Sequence, residues 1–232
     1  MTALILHSRF EFGDLHDVLS HPVYGPRPRL RGRLHQAAAV ASVPAGMHLV
    51  TQSSDPGARS VALIYAISWT LMFTTSACYH RLAQSPTARF WMRRLDHSMI
   101  FVHLAGATTP VAILGVPGLA GRLMLLLAWA GAFVGVGLKM TQLTVLQDPC
   151  PWLFPLLGTL PVLTAPTLAI GHGLDVAALM VGSAVIYGIG AVCFAKKSPD
   201  PVPTVFGYHE VWHLFTLLGG VCQFALMLRL AV

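Results

Sequence analysis

The amino-acid sequence predicts an all-α membrane protein, a bundle of seven transmembrane helices. Its composition is 55% hydrophobic and only 10% charged, against roughly 25% charged residues in an ordinary soluble domain. The mean hydropathy is +0.65. Charged residues bracket long apolar stretches instead of interrupting them. Most of the 232-residue chain is therefore expected to lie in lipid, as one membrane domain.

The individual spans are predicted from stretches that lack Asp, Glu, Lys and Arg, because a helix needs about 20 apolar residues to cross the hydrocarbon core. Residues 1–33 are expected to form a cytoplasmic segment, and residues 34–232 the membrane domain. The approximate spans are 34–54, 60–80, 97–117, 121–138, 151–171, 176–195 and 209–229. The fourth is the shortest, but the long side chains of Arg122 and Lys139 on either side of it can extend to the interface.

Prolines in the third and fifth spans predict kinks, since membrane helices tolerate proline when neighbouring groups satisfy the freed carbonyls. These prolines are Pro110, Pro117, Pro155, Pro161 and Pro166.

The basic residues predict an N-terminus in the cytoplasm and a C-terminus outside, because Lys and Arg near span ends are retained on the cytoplasmic side. With that orientation, only Arg59, Arg122 and Arg229 of the 15 Lys and Arg residues face outward. Topology then explains the net charge of +6 without nucleic acid as a partner. The arginine-rich run at 27–33 is expected to touch anionic lipid headgroups.

The cysteines do not suggest a disulfide framework or a thiolate metal site, because they are far apart and form no CxxC pair. They are Cys78, Cys150, Cys193 and Cys222. We expect them to be packing residues.

The strongest chemical motif is the sequence HEVWH at 209–213, at the start of the seventh span. His209 and His213 are four residues apart, so both imidazoles lie on one helical face and can bind one ion. The pattern also occurs by chance, and two interfacial histidines that anchor a helix would look the same. Glu210 points about 100° away from His209 around the helix.

Two further polar elements lie near span ends. The sequence SACYH at 76–80 ends the second span and puts Ser76 and His80 on one helical face. Asp96 starts the third span. Singly, they have structural interpretations as an interfacial histidine, a serine bonded to its own helix and a helix N-cap. The topology favours a shared site, because these span ends and the start of the seventh span all lie at the cytoplasmic face.

Three neutral imidazoles and a water form the open, tetrahedral arrangement of a catalytic zinc site. His80, His209 and His213 are therefore predicted to hold a divalent metal, with Zn²⁺ the leading choice. Such a metal lowers the pKa of bound water to about 7 and polarises a carbonyl. Asp96 could orient or deprotonate that water, and Ser76 could hold it or the nascent oxyanion. The chemistry that fits is hydrolysis of an amide or ester bond in a membrane lipid.

Four sequence blocks together resemble the hemolysin III family: RPRLRGRLH, SACYH, LDHSMIFVHLAGATTP and GYHEVWHLF. That family is grouped with the progesterone and adipoQ receptors and, more distantly, the alkaline ceramidases in a superfamily of seven-span proteins. The resemblance implies a zinc site with the base role nearer Asp96 than Glu210. It also implies a bacterial inner-membrane protein with its N-terminus inside. The implied site consists of His80, His209 and His213, with Ser76 and Asp96.

Several functions remain open at this point. The leading one is a zinc-dependent hydrolase of lipid amide or ester bonds. The alternative is a non-catalytic, receptor-like or membrane-homeostasis protein whose zinc fixes the helix bundle. A pore-forming haemolysin and a metal transporter are disfavoured, because the spans offer few polar residues away from the cytoplasmic end. His97, His103 and His172 are expected to have packing or interfacial roles.

Overall fold

The computed structural model describes residues 27–142, 148 and 151–232. Most of the predicted N-terminal segment, together with Arg9 and Cys150, lies outside these residues. The described chain is helical and contains no β-strand. Its α-helices are α1 (Arg33–Gln52), α2 (Pro56–Arg81), α3 (Pro86–Pro110), α4 (Gly118–Gln142), α5 (Leu153–Thr159), α6 (Ala165–His172), α7 (Leu174–Lys196) and α8 (Tyr208–Ala231).

Six stretches of the described chain are long and apolar enough to cross a membrane. They are Pro56–Arg81, Pro86–Gly115, Gly118–Thr141, Leu153–His172, Leu174–Lys196 and Tyr208–Ala231. The prediction of an all-helical membrane protein is therefore confirmed. Helix α1 has 20 residues but is not among the six, since Gln36, His35 and His48 lower its hydropathy. A seventh crossing and the orientation stay predictions.

The third span differs from its predicted bounds at both ends. Helix α3 begins at Pro86, where the Ser85 hydroxyl caps it by accepting from the Ala88 amide at 3.2 Å. Asp96 therefore lies in the helix interior and is not an N-cap. The run ends in a π-helix, Val111–Gly115, so Pro117 follows the helix as a boundary and does not kink it.

The fifth span is broken as its prolines predict. A 3₁₀-helix, Pro161–Thr164, separates α5 from α6. Because proline lacks a backbone N–H, the α-helical ladder cannot run unbroken through this stretch.

The helices pack against their neighbours in sequence from α1 to α4 and from α6 to α8, and α8 also contacts α1, α2 and α3. The core between them is aromatic and aliphatic, with Tyr65, Phe73 and Leu226 almost fully buried. Other apolar side chains face outward, including Phe133 at 85% and Ile170 at 90% exposure. An outer surface of this kind suits lipid.

The two ends of the bundle differ in charge. Backbone hydrogen bonds show which segments meet at each end. At one end the Ser54 amide donates to the Ala231 carbonyl at 2.9 Å, and at the other the Arg29 amide donates to the Thr204 carbonyl at 3.0 Å. We call the second the basic end. Its described Lys and Arg residues are Arg27, Arg29, Arg31, Arg33, Arg81, Arg89, Arg93, Arg94, Lys139, Lys196 and Lys197. The opposite end has Arg59, Arg122 and Arg229.

Candidate metal centre

Three histidines from two helices converge at the basic end. His80 lies in the last turn of α2, and His209 and His213 lie in the first turns of α8. One ligand nitrogen from each lies within 4.8 Å of the other two. A zinc ion with Zn–N bonds of about 2.1 Å needs tetrahedral ligand nitrogens about 3.4 Å apart. Side-chain shifts on the order of 1 Å would therefore complete such a set.

Burial and unsatisfied nitrogens make this cluster suited to a cation. His80 and His213 are 4% and 2% exposed. Both ring nitrogens of His80, and Nδ1 of His213, have no hydrogen-bond partner among the described residues. Leaving a buried polar atom unpaired costs about 1–3 kcal/mol. Metal coordination would satisfy these atoms, and three imidazoles are a donor set that zinc accepts in open sites.

The end of α2 is fixed by the segment that precedes α1. Arg27 Nη1 donates to the carbonyls of Tyr79 at 3.0 Å and His80 at 2.8 Å. These are among the last carbonyls of the helix, which have no intrahelical donor. Gly32 then packs directly on His80: a Cβ at Gly32 would lie 2.6 Å from the His80 Cβ. Gly32 also has a left-handed φ of 76°, which glycine adopts without strain.

Glu210 has a structural position. It is fully buried, and its Oε2 accepts from the Gly207 amide at 2.8 Å, which caps α8. Its Oε1 forms an ion pair with Arg31 Nε. Both carboxylate oxygens are therefore held by partners at the helix start. This arrangement supports the lower rank given to Glu210 as a base.

His35, to which sequence reasoning gave no role, forms a second polar layer against the cluster. Its ring stacks on His213 with centroids 3.8 Å apart. Its Nδ1 lies 2.8 Å from Ser76 Oγ and its Nε2 lies 2.8 Å from Thr216 Oγ1. Since both ring nitrogens have partners, His35 positions its neighbours and is not a fourth ligand.

The hydroxyl protons assign the hydrogen bonds in this layer. Thr216 Oγ1 donates to the His213 carbonyl at 2.7 Å, so it can only accept from His35. The neutral His35 ring then carries its proton on Nε2, and its Nδ1 accepts from Ser76. Ser76 also lies beside the Asp96 carboxylate. Ser76 and Asp96 share a side-chain hydrogen bond, so Ser76 links His35 to the carboxyl group of Asp96.

The structure thus brings all five predicted site residues into one region and adds His35, Thr216 and Arg31. The one sequence signal for His35 is its position, as a single histidine at the start of the first predicted span. The other histidines among the residues that the structure describes lie outside the cluster. They are His97, whose Nδ1 is 3.9 Å from Asp148, His103, whose Nδ1 is 3.4 Å from Ser68, and exposed His48 and His172.

Comparison with known proteins decides the family. The family model described as Haemolysin-III related matches residues 24–224, which include every residue of the cluster. The chain belongs to this family. It is 27% identical over 197 residues to Hemolysin-3 of Bacillus cereus, covering 82% of this chain and 85% of the relative. It is 24% identical over 195 residues to a Hemolysin-3 homolog of Bacillus subtilis (strain 168), covering 82% and 87%. The resemblance drawn from the sequence is confirmed.

Proposed function

We propose that this haemolysin-III-related protein is a zinc-dependent hydrolase of amide or ester bonds in lipids of the bacterial inner membrane. The observation that supports the proposal is the convergence of His80, His209 and His213, whose ligand nitrogens lie within 4.8 Å of one another. Zn²⁺ is the proposed cofactor, and membrane lipids are the proposed partners. The cluster lies at one end of the bundle, which is the depth at which the polar ends of lipids meet a membrane protein.

The proposal includes seven crossings with the N-terminus inside. Helix α1 has 20 residues, which is about 30 Å of helix and equals the thickness of the hydrocarbon core. It packs along α2 and α8, so it would lie in the membrane with them. Because basic residues concentrate at the histidine end, that end is assigned to the cytoplasm.

A bound zinc would supply a Lewis acid for a carbonyl and lower the pKa of a coordinated water to about 7. The chain's own residues would orient the reactants. Asp96 would accept a proton from the attacking water, and Ser76, which shares a hydrogen bond with Asp96, would hold its carboxyl group in place. His35 holds Ser76 and Thr216, and its ring supports the ring of His213.

The test is elemental analysis combined with turnover. Purified wild type should contain about one zinc per chain, and His80→Ala, His209→Ala and His213→Ala should lose it. His172→Ala is the matched control, because His172 is exposed and outside the cluster. Asp96→Asn should keep zinc and lose hydrolysis of ceramide-like or phospholipid substrates. Full zinc in all three cluster variants would refute the metal site, and bound zinc without turnover under any condition would refute the hydrolase.

A non-catalytic, receptor-like or membrane-homeostasis protein with a structural zinc is the second candidate. It is favoured by the layer beside the cluster, in which His35, Ser76 and Thr216 direct their hydrogen bonds into the bundle. Under this function, Asp96→Asn keeps both zinc and the cellular phenotype. The names of the relatives contain the word hemolysin, so the pore-forming haemolysin considered from the sequence is tested as well. Release of dye from protein-free liposomes by the purified chain would support a pore, and intact liposomes would exclude it.

A further inference from the structure

A cleft of about 270 Å³ opens at the basic end beside His80. One water molecule needs only about 10–15 Å³ by a comparable measure, so the cleft has room for a polyatomic group. No acidic side chain lines it among the described residues. The lining consists of Arg27, Pro28, Arg29, Arg31, His80, Arg81, Gln84 and Arg89.

The arginines of this cleft are close enough to affect one another. Burial lowers the pKa of Arg27; the adjacent Tyr79 raises it, and the nearby Arg89 and Arg31 lower it. Arg31 has an anionic partner, Glu210. Arg27 directs one nitrogen to two neutral carbonyls, while its Nη2 has no hydrogen-bond partner among the described residues. A bound anion would offset the repulsion between these cations.

The arginine side chains and the depth of the cleft in the membrane indicate which kind of anion it binds. Arginine presents a planar set of donors that matches phosphate in a bidentate manner. The cleft lies where α2 ends and the chain approaches α1, at the headgroup level of the proposed topology. A phosphate there would lie beside His80, at the edge of the histidine cluster.

We propose that this cleft binds the phosphate of an anionic phospholipid headgroup. Binding itself does not depend on the metal. Its consequence, that the hydrolysed lipid carries a phosphate next to the reacting bond, rests on the proposed function. Free phosphate shares the chemistry, so the experiment includes both sources.

The experiment measures binding to the purified full chain in detergent by calorimetry. The probes are short-chain phosphatidic acid, short-chain phosphatidylcholine and inorganic phosphate. The variant Arg29→Gln/Arg81→Gln removes two charges from the cleft. Its matched control, Arg59→Gln/Arg122→Gln, removes two charges from the opposite end. At roughly fivefold per arginine, phosphatidic acid should bind the cleft variant about 25-fold more weakly and the control unchanged.

The competition experiment distinguishes the two sources of phosphate. If inorganic phosphate displaces phosphatidic acid, the cleft recognises the phosphate group alone. If phosphatidic acid binds tightly and inorganic phosphate does not displace it, the cleft recognises the lipid headgroup. Equal affinity for the two lipids, or equal losses in the two double variants, would overturn the proposal. If the double variant unfolds, Arg29→Gln alone, at an exposed position, should still weaken binding about fivefold. His213→Ala should lose zinc and turnover but keep lipid binding, so the two proposals can fail independently.

Discussion

The ion pair between Arg31 and Glu210 allows a direct test of what the HExxH glutamate does here. Only 1% of the Glu210 side chain and 16% of the Arg31 side chain are exposed. Arg31→Met keeps the apolar stem but removes the guanidinium, which leaves a buried carboxylate with the Gly207 amide as its remaining partner. If Glu210 is structural, this change should destabilise the protein without direct damage to the chemistry.

The expected magnitude follows from the burial. Removing one partner of a buried ion pair costs about 3–5 kcal/mol. The partial exposure of Arg31 places the cost near the lower value, at about 3 kcal/mol. For a chain of this length each kcal/mol lowers Tm by about 2–4 °C, so Tm should fall by about 6–12 °C. In Arg31→Met/Glu210→Gln no charge is left unpaired, and part of that loss should be recovered.

The assay is thermal unfolding of the four proteins of this double-mutant cycle in detergent, with zinc content and turnover measured on each. Arg229→Met is the matched control, because Arg229 pairs with Asp175 at 2.7 Å with both side chains exposed. Such surface pairs contribute about 0–1 kcal/mol. If Arg31→Met lowers Tm no more than Arg229→Met, the ion pair does not stabilise the fold. If Glu210→Gln keeps zinc and Tm but abolishes turnover, Glu210 is the base and not a structural residue.

Two further substitutions test the packing around the cluster. Gly32→Ala should lose zinc, and thermal unfolding should show a free energy of unfolding lowered by about 1–3 kcal/mol more than in Gly118→Ala. Both glycines have positive φ, but only a Cβ at Gly32 would crowd His80. Equal effects of the two would show that the contact with His80 does not matter. Thr216→Val should lower the free energy of unfolding by about 1–3 kcal/mol, because it leaves the His35 Nε2 proton without an acceptor. The measurement is again thermal unfolding, and an unchanged Tm would reject the hydrogen-bond assignment.

The helical membrane fold was predictable because the relevant signal is local. Twenty apolar residues in sequence are sufficient evidence for a span, and six of the seven predicted stretches meet that criterion in the structure. The start of α3 was misplaced because its first turns carry Arg89, Arg93 and Arg94. Hydropathy marks where apolar sequence begins, whereas the helix begins earlier, at the Ser85 cap.

The candidate site was predictable only in part, for a related reason. The spacing of His209 and His213 on one helix predicts that they share a face. The predicted topology places His80 at the same end of the bundle. His35 has no such partner in its own helix. Its hydrogen bonds go to Ser76 on α2 and Thr216 on α8, and contacts between three helices leave no spacing pattern in the sequence.

Polar groups in the middle of the bundle were also underestimated. His103 lies 3.4 Å from Ser68, and Tyr187 donates to Gln223 at 3.2 Å. Each is a single polar residue in an apolar stretch, so its partner on another helix cannot be read from its neighbours in sequence. Burial in lipid makes such pairing necessary, because water is not available to satisfy these groups.

The segment before α1 explains why the glutamate of HExxH has a different position here from the one its motif suggests. The histidines come from only two helices, and the segment at 27–32 joins both. Arg27 binds the end of α2, Gly32 packs on His80, and Arg31 binds Glu210 at the start of α8. The glutamate is therefore one anchor of a link between the two ligand-bearing helices. Under the proposed hydrolase function, the proton acceptor must then come from elsewhere, and Asp96, which shares a hydrogen bond with Ser76, is the proposed carboxylate.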